Sequence, residues 1–63
     1  MYTVEQARKL RNKSQQQMAL HLKVHVQTYR KIEKNPENAT IKQAKEISDF
    51  LEMPYDEINF FAS

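Results

Sequence analysis

Ser14-Gln15-Gln16-Gln17-Met18-Ala19-Leu20-His21-Leu22, then Lys23-Val24-His25, then Val26-Gln27-Thr28-Tyr29-Arg30-Lys31-Ile32-Glu33-Lys34-Asn35 is the stretch that decides the fold. Its opening Ser14-Gln15-Gln16-Gln17 fits the S/T-x-x-E/Q capping box, in which a hydroxyl and a Gln side chain satisfy the free amides of a helix start. Met18, Ala19 and Leu22 then recur at helical spacing, which predicts a helix over about 15–22. The second segment can be read by angle, at about 100° per residue. Thr28, Tyr29 and Ile32 cluster on one side and are expected to pack inward. Val26, Gln27, Arg30, Lys31 and Lys34 cluster on the other, which is expected to be exposed. Asn35-Pro36 must end this helix, with Asn35 as its cap. Two short helices joined by about three residues can place the first across a DNA backbone and the second in the major groove. An amide, three cations and a methyl-bearing side chain suit base edges, phosphates and thymine methyls.

Working outward, the capping box recurs at Thr3-Val4-Glu5-Gln6 and at Thr40-Ile41-Lys42-Gln43. The first predicts a helix from about Val4 to Arg11, with Val4 and Ala7 inward and Asn12 as the left-handed residue that ends it. The other predicts a helix from about Ile41 to Leu51, with Ile41, Ala44, Ile47 and Leu51 along one stripe. Pro54 is expected to open a short fifth helix, Tyr55 to about Asn59, with Tyr55 and Ile58 inward. Glycine is absent and no strand pattern appears. The expected architecture is all-α, a compact bundle of five short helices in a single domain over residues 1–63.

The 63 residues leave no room for a second domain or for the deep cleft most enzymes need. A chain of this size buries only roughly 60% of its unfolded surface, so the core must be economical. There is no cysteine to make a disulfide or a thiolate metal site. His21 and His25 lack partners at a usable metal spacing, so no metal and no cofactor is expected. No nucleophile–base pair or phosphate loop is present, so no enzymatic activity and no small-molecule substrate are expected. The N-terminus has no signal pattern and no apolar run approaches the roughly 20 residues of a membrane span, which points to the cytoplasm and to no membrane partner. Net charge is +2, but it is unevenly placed. Residues 1–34 carry eight Lys/Arg against Glu5 and Glu33, whereas residues 35–63 carry Lys42 and Lys45 against six carboxylates. One half is suited to a polyanion and the other turned from it; an ordinary solvated surface gives the same count.

The run Ser14 to Val24, continuing through Thr28-Tyr29-Arg30-Lys31-Ile32-Glu33-Lys34-Asn35, resembles the phage Cro/repressor (XRE-like) helix-turn-helix family, whose pattern is approximately S-Q-x-x-L-A-x-x-L-G-V-S-x-x-T-I-S-x-I-E-x-G. The similarity continues through Thr40-Ile41 and Leu51 to Tyr55-Asp56-Glu57-Ile58, covering roughly residues 7–58. It implies a lambda-repressor-like DNA-binding domain that reads double-stranded DNA. Residue by residue, it implies that His25, Val26, Gln27 and Lys31 read bases. Gln15 matches a glutamine that touches a phosphate and braces the recognition helix. Gln16, Arg30, Lys34, Asn35 and Asn38 fall among the backbone contacts, and Arg8 and Glu33 match a partly buried ion pair. Where the family commonly has Gly, this chain has Asn12, Lys23, Asn35 and Glu52, and Leu20 is apolar where the family is polar.

Val26 reads equally as a hydrophobic staple of the turn or as a thymine contact. His25 suits a phosphate hydrogen bond or a cap of the recognition helix. Arg11 and Lys13 are solvated charges or backbone contacts. The Phe60-Phe61 pair either folds back onto the core or packs against a second subunit. Since the family implies symmetric dimers on palindromic operators, Ile58, Phe60 and Phe61 are the expected homodimer contacts. The leading expectation is a sequence-specific transcriptional regulator, Cro-like and of bacterial or phage type, acting at the nucleoid. The competing one is a protein-interaction module, such as an antitoxin, binding through acidic helices 4 and 5.

Overall fold

The computed structural model describes residues 1–61. Four α-helices form: α1 (Val4–Leu10), α2 (Gln15–Leu22), α3 (Val26–Lys34) and α4 (Ile41–Leu51). Two 3-10 turns, Pro36–Asn38 and Tyr55–Glu57, follow α3 and α4. No strand occurs among the described residues, although Tyr2 and Ile58 make an isolated parallel bridge. There Tyr2 N donates to the Glu57 carbonyl at 2.7 Å and Asn59 N to the Tyr2 carbonyl at 2.8 Å.

The helix starts follow from local chemistry. Thr3, Ser14 and Thr40 each accept from the amide three residues on, and Gln6, Gln17 and Gln43 each return the bond, completing all three boxes. The stops also share one device. Asn12, Lys23 and Glu52 take the left-handed conformation, with φ of 58°, 59° and 54°. The next amide in each case reaches back to a carbonyl five residues earlier: Lys13 to Arg8, Val24 to Ala19 and Met53 to Ser48. This closure satisfies carbonyls left free at a helix end. A non-glycine residue held there costs on the order of 1 kcal/mol. Asn35 departs from the pattern, at φ −135° and ψ 85°. It precedes Pro36, whose ring pushes the residue before it toward extended backbone.

The core is one cluster drawn from every helix. Tyr29, Met18, Ile47, Leu51 and Val4 are its largest fully buried side chains. Each such burial stabilises by about 1.5–3 kcal/mol. The inward face of α3 differs from the expected one. Tyr29 and Ile32 are buried and Val26 packs partly against the core, so the stripe runs at three-residue steps. Thr28, rotated about 100° from Tyr29, lies outside that stripe and is exposed. Ile41 is also corrected: as the first residue of α4 it extends past the end of the core and is 73% exposed. Leu20 points to solvent as well, at 80% exposed.

The expected fifth helix is a 3-10 turn of three residues. Ile58 turns extended to pair with Tyr2, which ends any helical continuation. From there the chain folds Ile58 and Phe60 into the core, each 3% exposed, with Phe60 stacked on Tyr55 at 5.3 Å between ring centroids. Two of the three expected dimer contacts are therefore core residues of the chain itself. Phe61 alone of the three faces outward, 78% exposed.

Candidate nucleic-acid interface

The inward half of α3 is anchored and its outward half is left to solvent. Gln27, Arg30, Lys31 and Lys34 are exposed along one face, with His25 at its N-terminal end. His25 occupies the N-cap position of α3 but makes no side-chain capping bond. Val26 is half-buried against the core, so its packing role is evident and only part of its surface is open. Gln16, Asn35 and Asn38 are exposed at the start of α2 and beyond the end of α3. The lysines and Arg30 give this face a positive field, with Lys31 and Lys34 also in the last turn of α3, where its dipole favours cations.

Beneath the face lies a polar network centred on Glu33. Its Oε2 accepts from Arg8 Nε at 2.5 Å and from the Tyr29 hydroxyl at 2.6 Å. Its Oε1 accepts from Gln15 Nε2 at 3.0 Å and, at longer range, from Arg8 Nη2 at 3.5 Å. Arg8 in turn donates through Nη1 to the Lys13 carbonyl at 2.9 Å. The Arg8 and Glu33 side chains are only 10% and 6% exposed. Breaking such a pair by removing one partner leaves an uncompensated charge, which makes it a firm clamp between α1 and α3.

The ionisation equilibria reflect that clamp. Burial disfavours the Glu33 anion, but hydrogen bonds from Arg8, Tyr29 and Gln15, with the Arg8 charge, outweigh it and hold the carboxyl below its usual range. Burial likewise works against the Arg8 cation, and Glu33 overcomes it, so the Arg8 pKa lies above its ordinary value. Burial first, then donation to the Glu33 anion, pushes the Tyr29 hydroxyl far up, so it stays protonated.

The three consecutive glutamines have separate fates. Gln17 closes the α2 capping box, Gln16 is free to solvent, and Gln15 joins Glu33 to Arg30, whose Nε donates to Gln15 Oε1 at 3.0 Å. Two contributions escaped the sequence reading. The Tyr29 hydroxyl completes the Glu33 site, and its position four residues before Glu33 on one helix face was a usable signal. Arg11 donates to the carbonyls of Leu51 and Glu52 at 2.9 and 3.3 Å, tying α1 to the C-terminal end of α4. Such a contact across 40 positions has no local signature. Lys13 sits 5.0 Å from the centroid of the Phe50 ring, which stacks on His21.

Ile41 and Phe61 line an apolar groove together with Pro36, Ala39, Ala44 and Phe60. Among the described residues no group of three His, Cys, Asp or Glu could hold a metal ion, and no helix is long and apolar enough to cross a membrane. A family model described as helix-turn-helix matches residues 4–58, from the first residue of α1 to the bridge at Ile58. No curated protein and no solved structure gives a match.

Proposed function

We propose a function from one premise: the chain belongs to the helix-turn-helix family, in its XRE/Cro-like form. The family is one of DNA-binding transcription regulators. Within it, the reading is a sequence-specific Cro-like repressor that inserts α3 into the major groove of an operator. The observation that carries it is the exposed face of α3, where Gln27, Arg30, Lys31 and Lys34 stand clear of the core while Tyr29 and Glu33 lock the opposite face. His25, Gln27, Lys31 and the open part of Val26 are the base-reading set. Gln16, Arg30, Lys34, Asn35 and Asn38 meet the backbone. Repression follows from occlusion of a promoter, with no chemistry.

A palindromic operator requires two copies. With Ile58 and Phe60 inside the chain, the contact between copies falls to Phe61 and Ile41 at the apolar groove, a surface able to meet itself across a two-fold axis. Phe61→Ser should weaken binding to two half-sites far more than to one; equal losses would rule out this contact.

Anisotropy titrations on duplex DNA test the reading of α3. Gln27→Ala should relax preference at one base position, whereas Lys34→Ala should weaken all sequences alike and reduce the salt slope by about 0.9. Uniform losses from both variants would count against base reading by α3.

A further inference from the structure

The Gln15 amide has one way to sit. Its inner neighbour Glu33 is an anion that can only accept hydrogen bonds, so the amide NH2 must face it. That requirement turns Gln15 Oε1 toward Arg30, where it accepts from Nε at 3.0 Å. The network therefore fixes an orientation that amide geometry alone leaves ambiguous. Glu33 is itself immobilised by Arg8 and the Tyr29 hydroxyl, and Arg8 by the Lys13 carbonyl. A line of directed hydrogen bonds thus runs from a buried anchor to an exposed guanidinium.

The direction of those bonds assigns different tasks to the two outer residues. Both ends of the Gln15 amide are engaged, Nε2 with Glu33 and Oε1 with Arg30, so a phosphate would find a carbonyl oxygen that repels it and no more than the second Nε2 proton. Arg30 commits only Nε, and among the described residues its two terminal nitrogens have no partner. Holding Nε restricts the plane of the guanidinium and leaves the paired donors of its terminal nitrogens, a fork that fits phosphate, for a ligand.

We propose that Gln15 is a positioning residue that holds Arg30 as a preoriented phosphate clamp, rather than itself a phosphate ligand, with Glu33 fixing the Gln15 amide. The proposal rests on the DNA-binding reading of α3. It also implies that the glutamine of the family pattern has a changed task in this chain, because Arg30 lies within its reach. Holding one arginine in advance should tighten binding by about two- to tenfold, the ordering cost of a long side chain.

A double-mutant cycle tests it on a duplex that the wild-type chain binds. Gln15→Ala should weaken binding about two- to tenfold. Arg30→Ala should weaken it more and reduce the log–log salt slope by about 0.9, the loss of one phosphate contact. The double variant should bind no more weakly than Arg30→Ala and show the same slope. Losses that multiply, with a slope reduced by about two contacts, would overturn the proposal by giving Gln15 its own phosphate. A second measurement needs no DNA: the Arg30 Nε–Hε resonance should exchange slowly with water in the wild type and quickly in Gln15→Ala. Unchanged exchange would overturn the positioning role even where DNA binding holds. A wild-type chain that binds no duplex, with the exchange difference intact, would instead sink the DNA reading and the clamp with it.

Discussion

Tyr29→Phe removes one oxygen from a fully buried ring, and the consequence can be worked out from the geometry. The hydroxyl donates to the Glu33 carboxylate at 2.6 Å, so the variant loses a hydrogen bond to a charged acceptor and little packing. Bonds of that kind contribute about 1.5–3 kcal/mol, and the lower end applies because Arg8 still covers the same oxygen. In a chain this short, about 1.5 kcal/mol should lower the unfolding midpoint by roughly 6–12 °C. Alkali should erase the difference. Tyr29 is held protonated in the fold while an unfolded tyrosine ionises near its ordinary value of 10.0. A raised pKa gives stability that is complete below pH 10 and declines as pH rises above it. At about pH 11 that linkage removes roughly 1.4 kcal/mol from the wild type and nothing from the variant at this site. Thermal unfolding followed by circular dichroism at neutral and alkaline pH would show the gap closing, with the lysines common to both proteins. Equal midpoints at neutral pH, or a gap that persists undiminished in alkali, would refute the hydrogen-bond argument.

Three further outcomes are expected from the same contacts. Glu33→Gln should cost about 3 kcal/mol at neutral pH by leaving Arg8 without its counter-ion, measured by urea unfolding. Because the Glu33 pKa is depressed, its contribution is present above the ordinary value of 4.5 and fades as pH falls through the lower folded one, so the gap to wild type should shrink below about pH 4.5. Lys23→Gly should raise stability by up to about 1 kcal/mol by relieving a left-handed lysine, and a lower urea midpoint would show that φ of 59° carries no strain. Phe60→Ala should lose about 3–5 kcal/mol, whereas Phe61→Ala, on an exposed ring, should leave the midpoint of the single chain within about 0.5 kcal/mol.

What could be read from the sequence was whatever one helix decides within itself. The three capping boxes need only residues three apart, and Met18, Ala19 and Leu22 share one face of α2. The Glu33–Arg8 clamp was legible only through resemblance, because its partners lie 25 positions apart. Helical angle alone turns Tyr29, Ile32 and Thr28 inward together, yet Thr28 is exposed, since a face about 100° wide has edges that neighbouring helices decide. Ile41 shows the related limit: a stripe continues geometrically beyond the point where a partner helix stops facing it. At the C-terminal end the fifth helix was lost to a long-range pairing, Tyr2 with Ile58, that Pro54 and Tyr55 do not foreshadow. The same pairing separates the twin phenylalanines, sending Phe60 into the core and Phe61 out.

The most direct test of DNA reading by α3 is selection of bound sequences from a random duplex library, followed by titration of the enriched site at two salt concentrations. A palindrome with half-sites about one helical turn apart is expected, with steep salt dependence and altered bases at one position when the selection is repeated with Gln27→Ala. No enriched sequence, with weak and purely electrostatic binding that salt abolishes, would contradict base reading by α3.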